Sequence, residues 1–505
     1  MKQRSHQQYN ASRLIILVAL AIIGLAPPID AAEFIPLGQL PGQVGSSTAD
    51  ISHDGQFVLG MTNLDGGSFV SGNAGIFRWT RNQGMLQIGR TNSQFANMSA
   101  DGSTLAWLSS PTGHVWTEET GLVGVSRKTE FGAGISDDGD VVVGMNDSRT
   151  TMVRWTPKRG LEDLATLEPA NRDHRFGISP DGSVVVGALN LDQGTWPVDR
   201  QMVRELFRWT EKNGLTSLGD VPGHNFYSVT GISANGSVIA GVSGAVPMNT
   251  NEFEVPKSLW RWTEETGVVI LEVGRADLNF QLSRDDRYSQ QWLSADGSVL
   301  VGDILALDDE FRSVYRWTKS VGLQMLPKLP GYSHATALDM SPDGKWVFGQ
   351  SYSLPFVNGD VTPWLWSDET GLVNVLDLFE VQGLGPDIEG WDQLWGQRPN
   401  LGGYGQISAD ARAIIGSGIN PDGVFEGWVA YLDPIVVPEP AGAVLALALG
   451  FLSAGRFRAR LQHSPRPDLC EPSIRLRSAT LFDDRMGRRS PTTANSPRTK
   501  CHLRF

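Results

Sequence analysis

The chain has 505 residues, a formal net charge of −13 and only two cysteines, both near its C-terminus. This length exceeds what one compact core usually carries, so we expect a large repeat-built domain or several domains. The acidic balance argues against a nucleic-acid partner, and the cysteine positions exclude a disulfide scaffold or a Cys-ligated zinc domain in the body.

Residues 1–32 have the pattern of an export signal. A basic start precedes an apolar run at 14–26, and Ala31 and Ala32 offer small residues for cleavage. A membrane anchor is the alternative, but the run is shorter than the roughly 20 residues that cross a bilayer. We therefore expect residues 1–32 to be a cleaved signal peptide.

Residues 33–433 contain eight copies of one repeat. Each copy has a Ser-x-Asp-Gly turn, or a close variant, followed by an apolar run, and later an aromatic strand that ends in Trp, as in LFRWT at Trp209. The turns begin at Ser52, Ser99, Ser136, Ser179, Ser233, Ser294, Ser341 and Ser408. Their mean spacing of about 51 residues leaves room for one four-stranded unit per copy.

Four short strands per copy, with no helical period between them, are typical of a β-propeller blade. In the fifth copy, Asn235 and Gly236 between two apolar stretches predict a two-residue hairpin turn. A β-solenoid is the alternative, although its turns are shorter and more regular than steps that range from 37 to 67 residues.

The ends of the repeat region predict how the ring closes. The eighth copy stops after its third strand, near Trp428, while LGQLPG at 37–42 matches LGDVPG at 218–223, at the end of a fourth strand. We expect 34–40 to add the missing strand and to hide two sheet edges. The predicted fold is all-β: a propeller of eight four-stranded blades closed by the N-terminal strand, with a C-terminal hydrophobic helix. Seven blades would require one irregular copy.

Residues that recur in every copy are expected to serve the blades. The Asp of the turn should cap a tight hairpin, since Asn235 replaces it without loss of the pattern. The recurring Trp should pack between blades, and the Arg before it should point to the opposite face of the strand, in solvent or paired with acidic neighbours. These arginines are Arg78, Arg154, Arg208, Arg261 and Arg316.

Motifs that carry chemistry are absent from the sequence. The histidines of the repeats lie in separate copies without metal-ligand spacing, and no P-loop, nucleophile elbow or dinucleotide fingerprint occurs. We expect no catalytic residue, metal ion or cofactor.

The longest departure from the repeat, 377–400, has Trp391 and Trp395 beside carboxylates, which suits carbohydrate stacking. A short helix packed on the ring would explain the same residues.

The C-terminal part predicts a membrane segment. A V-P-E-P motif precedes an uncharged apolar run at 441–455, and an arginine cluster follows it. As a helix, the run would span about 22 Å against a hydrocarbon core of about 30 Å, and positive charge after it favours the cytoplasmic side. We expect 434–440 to be a linker, 441–455 a transmembrane sorting helix and 456–505 a basic disordered tail. The motif comprises Val437, Pro438, Glu439 and Pro440, and the cluster comprises Arg456, Arg458 and Arg460.

Charge is unevenly distributed along the chain. Residues 1–33 carry a net charge of +1, 436–455 carry −1 and 456–505 carry +8, so that residues 34–435 carry −21. The repeat region is therefore strongly acidic.

The V-P-E-P motif, apolar helix and arginine cluster, in that order, resemble the PEP-CTERM sorting segment of exported bacterial proteins. The resemblance implies a transient stay in the inner membrane, processing by an exosortase-type membrane protease, and delivery to the cell surface or extracellular matrix. The chain departs from that family in running on to Phe505.

The string at 207–241 resembles the extracellular HAF repeat without its His-Ala-Phe tripeptide, and that family implies no common reaction.

Together these features predict an exported propeller that acts as a non-catalytic binding or structural module for exopolysaccharide or a matrix protein. The alternative is an extracellular glycan hydrolase or lyase with its site in the propeller channel. An enzyme would need two or three non-repeated carboxylates or histidines that converge at one mouth of the ring.

Overall fold

The computed structural model describes residues 31–63, 74–91, 96–109, 112–126, 129–146, 150–166, 175–190, 204–244, 257–272, 291–305, 312–353, 361–392, 394 and 405–435. These residues form eight four-stranded antiparallel sheets, the blades of a β-propeller. The predicted eight blades are confirmed. Residues 1–30 and 436–505, which hold most of the predicted signal peptide and all of the predicted sorting motif, apolar helix and tail, lie outside the described residues.

The strands follow the chain, four to a blade, except in the last blade. Blades 1 to 4 comprise β2 (Gly45–Ile51), β3 (Phe57–Asn63), β4 (Ala74–Thr80), β5 (Gly84–Thr91), β6 (Ala96–Met98), β7 (Thr104–Ser109), β8 (Thr112–Thr117), β9 (Gly121–Ser126), β10 (Thr129–Ile135), β11 (Val142–Asn146), β12 (Thr151–Thr156), β13 (Gly160–Thr166), β14 (Arg175–Ile178), β15 (Val184–Asn190), β16 (Arg204–Thr210) and β17 (Gly214–Gly219). Blades 5 to 8 comprise β18 (Phe226–Ile232), β19 (Val238–Gly244), β20 (Lys257–Thr263), β21 (Gly267–Glu272), β22 (Gln291–Leu293), β23 (Val299–Leu305), β24 (Arg312–Thr318), β25 (Gly322–Met325), β26 (His334–Met340), β27 (Val347–Tyr352), β28 (Val361–Ser367), β29 (Gly371–Asn374), β30 (Gln406–Ile407), β31 (Ala413–Ile419), β32 (Phe425–Tyr431) and β1 (Glu33–Pro36).

The two faces of the ring differ in how the strands are connected. In an antiparallel meander, the first and third connections of each sheet lie at the same end. That end carries the Ser-x-Asp-Gly turns and the short turns that follow the third strands, such as 81–83. We call it the turn face, and we call the opposite end the loop face.

The Ser-x-Asp-Gly turn is a four-residue loop, so the predicted two-residue turn is wrong. In blade 5 the Ser233 amide donates to the Val238 carbonyl at 2.9 Å, which closes the loop. The Ser233 hydroxyl accepts from the Val238 amide, Asn235 accepts from the amide two residues on, and only Gly236 has a positive φ, of 64°. The two side chains satisfy turn amides, which confirms the predicted capping role. The Ser to Asx hydrogen bond recurs in all eight turns.

Backbone hydrogen bonds join these turns around the ring. The amide of the second or third turn residue donates to the carbonyl of the second turn residue in the next blade, at 2.7 to 3.2 Å. The pairs, which we call the turn belt, are His53–Ala100, Asp101–Asp137, Asp137–Pro180, Asp181–Ala234, Ala234–Ala295, Ala295–Pro342 and Ala409–His53. Among the described residues the belt is open only between blades 7 and 8.

The turn glycines lie where neighbouring blades approach closely. A Cβ on Gly236 would lie 2.4 Å from Val184 of the preceding blade, and one on Gly297 would lie 2.6 Å from Val238. Blade 8 has Ala411 at this position, with a φ of 56°. Its preceding blade presents Trp346, which packs against the same core cluster as Ala411. The same close contact with the preceding blade occurs at Gly55, Gly102, Gly139, Gly182 and Gly344.

The N-terminal strand closes the ring as predicted. Strand β1 pairs antiparallel with β32, with Glu33 opposite Tyr431 and Pro36 opposite Trp428. It thereby becomes the fourth strand of blade 8. Both Glu33 and Tyr431 lie at the turn face, so the two ends of the ring emerge there side by side.

Two short helices cover the outer edge of the closing blade. They are α1 (Val375–Val381) and α2 (Gly385–Ile388). Asn374 caps α1 by accepting from the Leu376 amide at 2.9 Å. Phe379 of α1 packs edge-on against Phe34 of β1, at 6.3 Å between ring centroids. The helices thus bury the side chain that anchors the closing strand.

Inside a blade, a glycine of the second strand makes room for an aromatic ring of the third. A Cβ on Gly241 would lie 2.6 Å from Trp260, and one on Gly416 would lie 2.3 Å from Trp428. Trp428 therefore occupies the position of Trp260, two residues before that of Trp262. The expectation that every copy has a strand ending in Trp is therefore wrong for the eighth copy, where Ala430 stands at the position of Trp262.

The close approach at the turn glycine yields a stability prediction. Gly236→Ala must both adopt a positive φ and displace Val184, so we expect a loss of about 2–4 kcal/mol in the free energy of unfolding. The control is Gly267→Ala, whose φ is 62° but which has nothing within 4 Å. We expect it to lose only about 1–2 kcal/mol, the cost of a left-handed backbone for a residue with a Cβ. Urea unfolding of both variants measures the difference, and equal losses would contradict the role of the blade contact.

Candidate functional site

The arginines before the recurring Trp contact the next blade at four junctions, those after blades 1, 3, 4 and 6. The guanidinium of Arg78 lies 4.6 Å from the ring centre of Trp116 in blade 2, and that of Arg316 lies 5.4 Å from Trp366 in blade 7. Arg154 and Trp209 make the same contact at 5.4 Å. The distances are those of cation–π interactions. Arg208 and Trp262 repeat it at 5.8 Å.

A carboxylate on the next blade completes several of these contacts. Glu118, two residues after Trp116, lies 3.2 Å from Arg78, and Asp368 lies 3.3 Å from Arg316. The predicted pairing with acidic neighbours is confirmed for Arg78, Arg154 and Arg316. The predicted exposure to solvent is wrong for Arg78 and Arg316, whose side chains are buried, because the adjacent blade covers that face of the strand.

The junction between blades 8 and 1, which we call the seam, departs from this pattern. The register of β31 and β32 puts Val429 at the position of Arg78 and Ala430 at that of Trp79. Arg81 stands where the next blade has its acidic residue, Glu118. The seam therefore lacks the arginine contact found after blades 1, 3, 4 and 6, as do the junctions after blades 2 and 7, where Val115 and Leu365 stand at the arginine position. Only the seam carries an arginine at the position of Glu118 among the described residues.

Arg81 instead holds the two ends of the ring. It forms an ion pair with Glu33 of the N-terminal strand, and its guanidinium lies 5.1 Å from the ring centre of Tyr431. The Tyr431 hydroxyl donates to the Gly55 carbonyl at 3.0 Å. Arg412 Nε donates to the Leu432 carbonyl at 3.1 Å. The contacts of Arg81 and Tyr431 thus tie blade 8 to blade 1 and occur at this junction alone among the described residues, while the Arg412 bond lies within blade 8.

A polar groove with a cavity volume of about 800 Å³ opens at the seam on the turn face. This volume is within the range of small-molecule sites. Its lining residues come from the turns of blades 8, 1 and 2: Asp54, Gln56, Phe57, Arg78, Thr80, Arg81, Asn82, Gln83, Glu118, Ser408, Asp410, Arg412, Ala413, Tyr431 and Leu432. Three arginines and three carboxylates balance, so the groove has no net charge within a region that carries −21.

Two carboxylates of the groove keep a free oxygen. Asp54 and Asp410 are turn residues that use Oδ1 to hold the turn. Their Oδ2 atoms accept no hydrogen bond from the described part of the chain. The faces of the aromatic residues are covered, since Arg78 lies 4.8 Å from the Phe57 ring centre and Arg81 lies over Tyr431. The groove therefore offers hydrogen bonds more than stacking surfaces.

Two carboxylates at one repeat position, two residues before the turn Ser of blades 1 and 7, lie on the innermost strands, which surround the channel. Asp50 accepts from the Met98 amide of blade 2 at 3.1 Å, and Asp339 accepts from the Ile407 amide of blade 8 at 2.9 Å. Burial raises the pKa of each to about 7, and the charge of Asp50 adds to the rise at Asp339. The Asp339 contact bridges the junction at which the turn belt is open.

A third acidic residue joins blades 6 and 7. Asp303 is buried and accepts from the Ala337 amide at 2.8 Å and from the Thr336 hydroxyl. Burial raises the pKa of Asp303 to about 7, although these hydrogen bonds and nearby Arg312 lower it. The other blades have mostly apolar residues here, as at Met61 in blade 1. A comparison of equivalent repeat positions could have found Asp303 from the sequence.

Only one residue proposed for ligand contact or sorting lies in the described part of the chain. Trp391 is partly buried and packs edge-on against Phe34, at 5.5 Å between ring centroids. The Trp428 indole donates to the Leu394 carbonyl in the same segment. Trp395 and all seven sorting residues, 437–440 with Arg456, Arg458 and Arg460, lie outside the described residues. Ligand contact by Trp391 stays a prediction.

Two further properties concern the described ranges alone. They contain no group of three or more His, Cys, Asp or Glu side chains placed to hold a metal ion. Neither α1 nor α2 has the length and apolar composition needed to cross a membrane.

No protein-family model matches the chain, and no curated protein matches it. Solved structures with a similar fold include one from a study of two prolyl endopeptidases, with 11% identity over 67% of this chain and a TM-score of 0.45; the chain spans 50% of that protein. An oligogalacturonate lyase in complex with manganese has 13% identity, coverage of 80% and 97%, and a TM-score of 0.44. The propeller domain of the Trilobed protease from Pyrococcus furiosus, described as having an open velcro topology, has 10% identity, coverage of 66% and 98%, and a TM-score of 0.40.

The buried Asp303 predicts a pH-dependent stability. The folded chain binds its proton more tightly than the unfolded chain, whose Asp residues titrate near pH 4, so this group stabilises the fold at acid pH. Its contribution, on the order of 4 kcal/mol, is lost as the pH rises from about 4 to about 7. Asp303→Asn keeps both hydrogen bonds, because an amide can accept from Ala337 and donate to Thr336. We expect the fall in the free energy of unfolding between pH 4 and 7 to be shallower in this variant.

Asp296→Asn, in the same blade, is the matched control. The Ser294 hydroxyl lowers the pKa of Asp296, so its contribution is lost only as the pH falls below about 4. Both variants remove one negative charge. Urea unfolding at several pH values between 4 and 8 makes the measurement, and equal slopes for the two variants would contradict the assignment.

Proposed function

We propose that the protein is an exported β-propeller that acts at the cell surface or in the extracellular matrix as a non-catalytic binding module for polysaccharide or protein. The observation that carries this proposal is the groove at the seam. At the junctions that have an arginine contact, the recurring arginine lies against the Trp of the next blade. At the seam a ligand-sized space remains, with unpaired carboxylate oxygens on its wall.

Export rests on the sequence at the two chain ends. The sorting segment resembles that of proteins processed by an exosortase-type membrane protease, and the partner and the transient membrane stage follow from that resemblance. The chain leaves the ring at the turn face after Tyr431, a few residues before the V-P-E-P motif. A ring that is complete at residue 431 can fold without the sorting segment, which is compatible with removal of that segment.

A glycan hydrolase or lyase is the second candidate. Asp50 and Asp339 favour it, since they are carboxylates beside the channel with a pKa of about 7 and occur in only two of the eight repeats. Both oxygens of each carboxylate already accept backbone amides, which suits a structural contact better than proton transfer.

Binding without turnover separates the two functions. The full chain, solubilised in a detergent without a sugar headgroup, is incubated with a panel of polysaccharides. We expect retention on at least one polysaccharide with no release of reducing ends or unsaturated sugars. Product release that Asp50→Asn or Asp339→Asn abolishes would establish the enzyme instead.

The sorting motif is tested in a bacterial host that carries an exosortase-type protease. Replacing Pro438, Glu439 and Pro440 with alanine should hold the protein in the inner-membrane fraction, because the processing signal is lost. The control replaces Arg488 and Arg489 of the tail, which lie outside the motif, with alanine. Immunoblots of the membrane, surface and medium fractions make the measurement. The same distribution for the wild-type chain and the motif variant would refute the sorting role.

A further inference from the structure

We propose that the seam groove binds a neutral, hydroxyl-rich oligosaccharide chain through hydrogen bonds, with Asp54 and Asp410 as its principal acceptors. This inference rests on the proposed binding function and assigns the ligand class and the residues.

The seam has space because the ring closes there with smaller side chains. Ala413 stands at the position that Phe57 occupies in blade 1 and Val184 in blade 4. Val429 stands where Arg78 crosses to the next blade, and Arg81 turns instead to Glu33 and Tyr431. No side chain of blade 8 therefore fills the volume that the crossing arginine fills at the next junction.

The charges of the groove disfavour an ionic ligand. The surrounding region of −21 repels polyanions at long range, and Arg412, in the same wall as Asp54 and Asp410, opposes a cation at short range. A neutral ligand meets neither penalty. Apolar or flat aromatic ligands are also disfavoured, because Arg78 and Arg81 cover the rings of Phe57 and Tyr431.

The hydrogen-bonding groups of the wall fit hydroxyls. A sugar hydroxyl donates one hydrogen bond and accepts others, so it needs acceptors and donors close together. The Oδ2 atoms of Asp54 and Asp410 provide charged acceptors. The exposed amides of Gln56, Asn82 and Gln83 provide donors and acceptors on the same wall.

The test uses a double substitution that the repeat itself shows to be tolerated. Asn235 holds the turn of blade 5 through the same contacts as Asp, so Asp54→Asn with Asp410→Asn should preserve the fold while removing both charged acceptors. The matched control is Asp181→Asn with Asp296→Asn, the same change in two turns outside the groove. Thermal midpoints of both double variants verify that folding is equally preserved.

Binding is measured by calorimetry on the full chain in a detergent without a sugar headgroup. The probes are neutral hexasaccharides of glucose and mannose, hexagalacturonate as the anion and chitosan hexamer as the cation. We expect a neutral hexasaccharide to bind most tightly, with at least a tenfold weaker Kd in the groove variant and an unchanged Kd in the control.

The other outcomes are distinguishable. Equal binding by the groove variant and the wild-type chain would overturn the site and leave the proposed function standing. Tightest binding of hexagalacturonate or chitosan, weakened in the groove variant, would overturn the ligand class. Failure of every probe with the wild-type chain would overturn both this inference and the polysaccharide-binding function.

Discussion

At seven of the eight junctions, among the described residues, each blade is held to the next through the main chain of its Ser-x-Asp-Gly turn. The turn belt depends on the positive φ of the turn glycine, on the two side chains that cap the turn, and on blades that approach within contact of that glycine. Because amides and carbonyls make this first layer of contacts, it does not require particular side chains further out. The arginine contacts form a second layer that can be present at one junction and replaced at another. At the seam, Val429 replaces the arginine, and Arg81 pairs with Glu33 instead.

Much of the fold could be predicted from the sequence, because its determinants are local and repeated. The eight turns, the capping Ser and Asp, and the similarity of 37–42 to the ends of fourth strands each lie within a short segment. The loop length predicted at Asn235 was wrong because an Asx-Gly pair fits several turn types. The hydrogen bond between Ser233 and Val238 selects the four-residue loop. The burial of Arg78 depends on the neighbouring blade, which no single repeat contains.

The candidate site was beyond sequence reasoning for a different reason. Its wall combines Arg81, Ala413 and Tyr431, and Glu33 holds Arg81 in place; all four are ordinary residues at separate places in the chain. They meet only because the first and last strands share one blade. Asp303 is a contrasting case, since a charged residue at a position that is mostly apolar elsewhere is visible once the repeats are aligned. The residues that line the groove show no comparable departure from the repeat pattern that would have identified them in the sequence.

The pairing of β1 with β32 also sets an order of events in folding. The Gly38 amide bonds the Glu426 carboxylate 388 residues later, so at about 5–20 residues per second the first strand waits tens of seconds for its partner during synthesis. Closing so long a flexible loop would be slow and entropically costly. Blades 1 to 7, whose contacts are within a blade or with the next one, can form first and bring the two ends together as a rigid arc. Strands β1 and β32 are then already close together when they pair, so the last blade forms without a long diffusive search by its two ends.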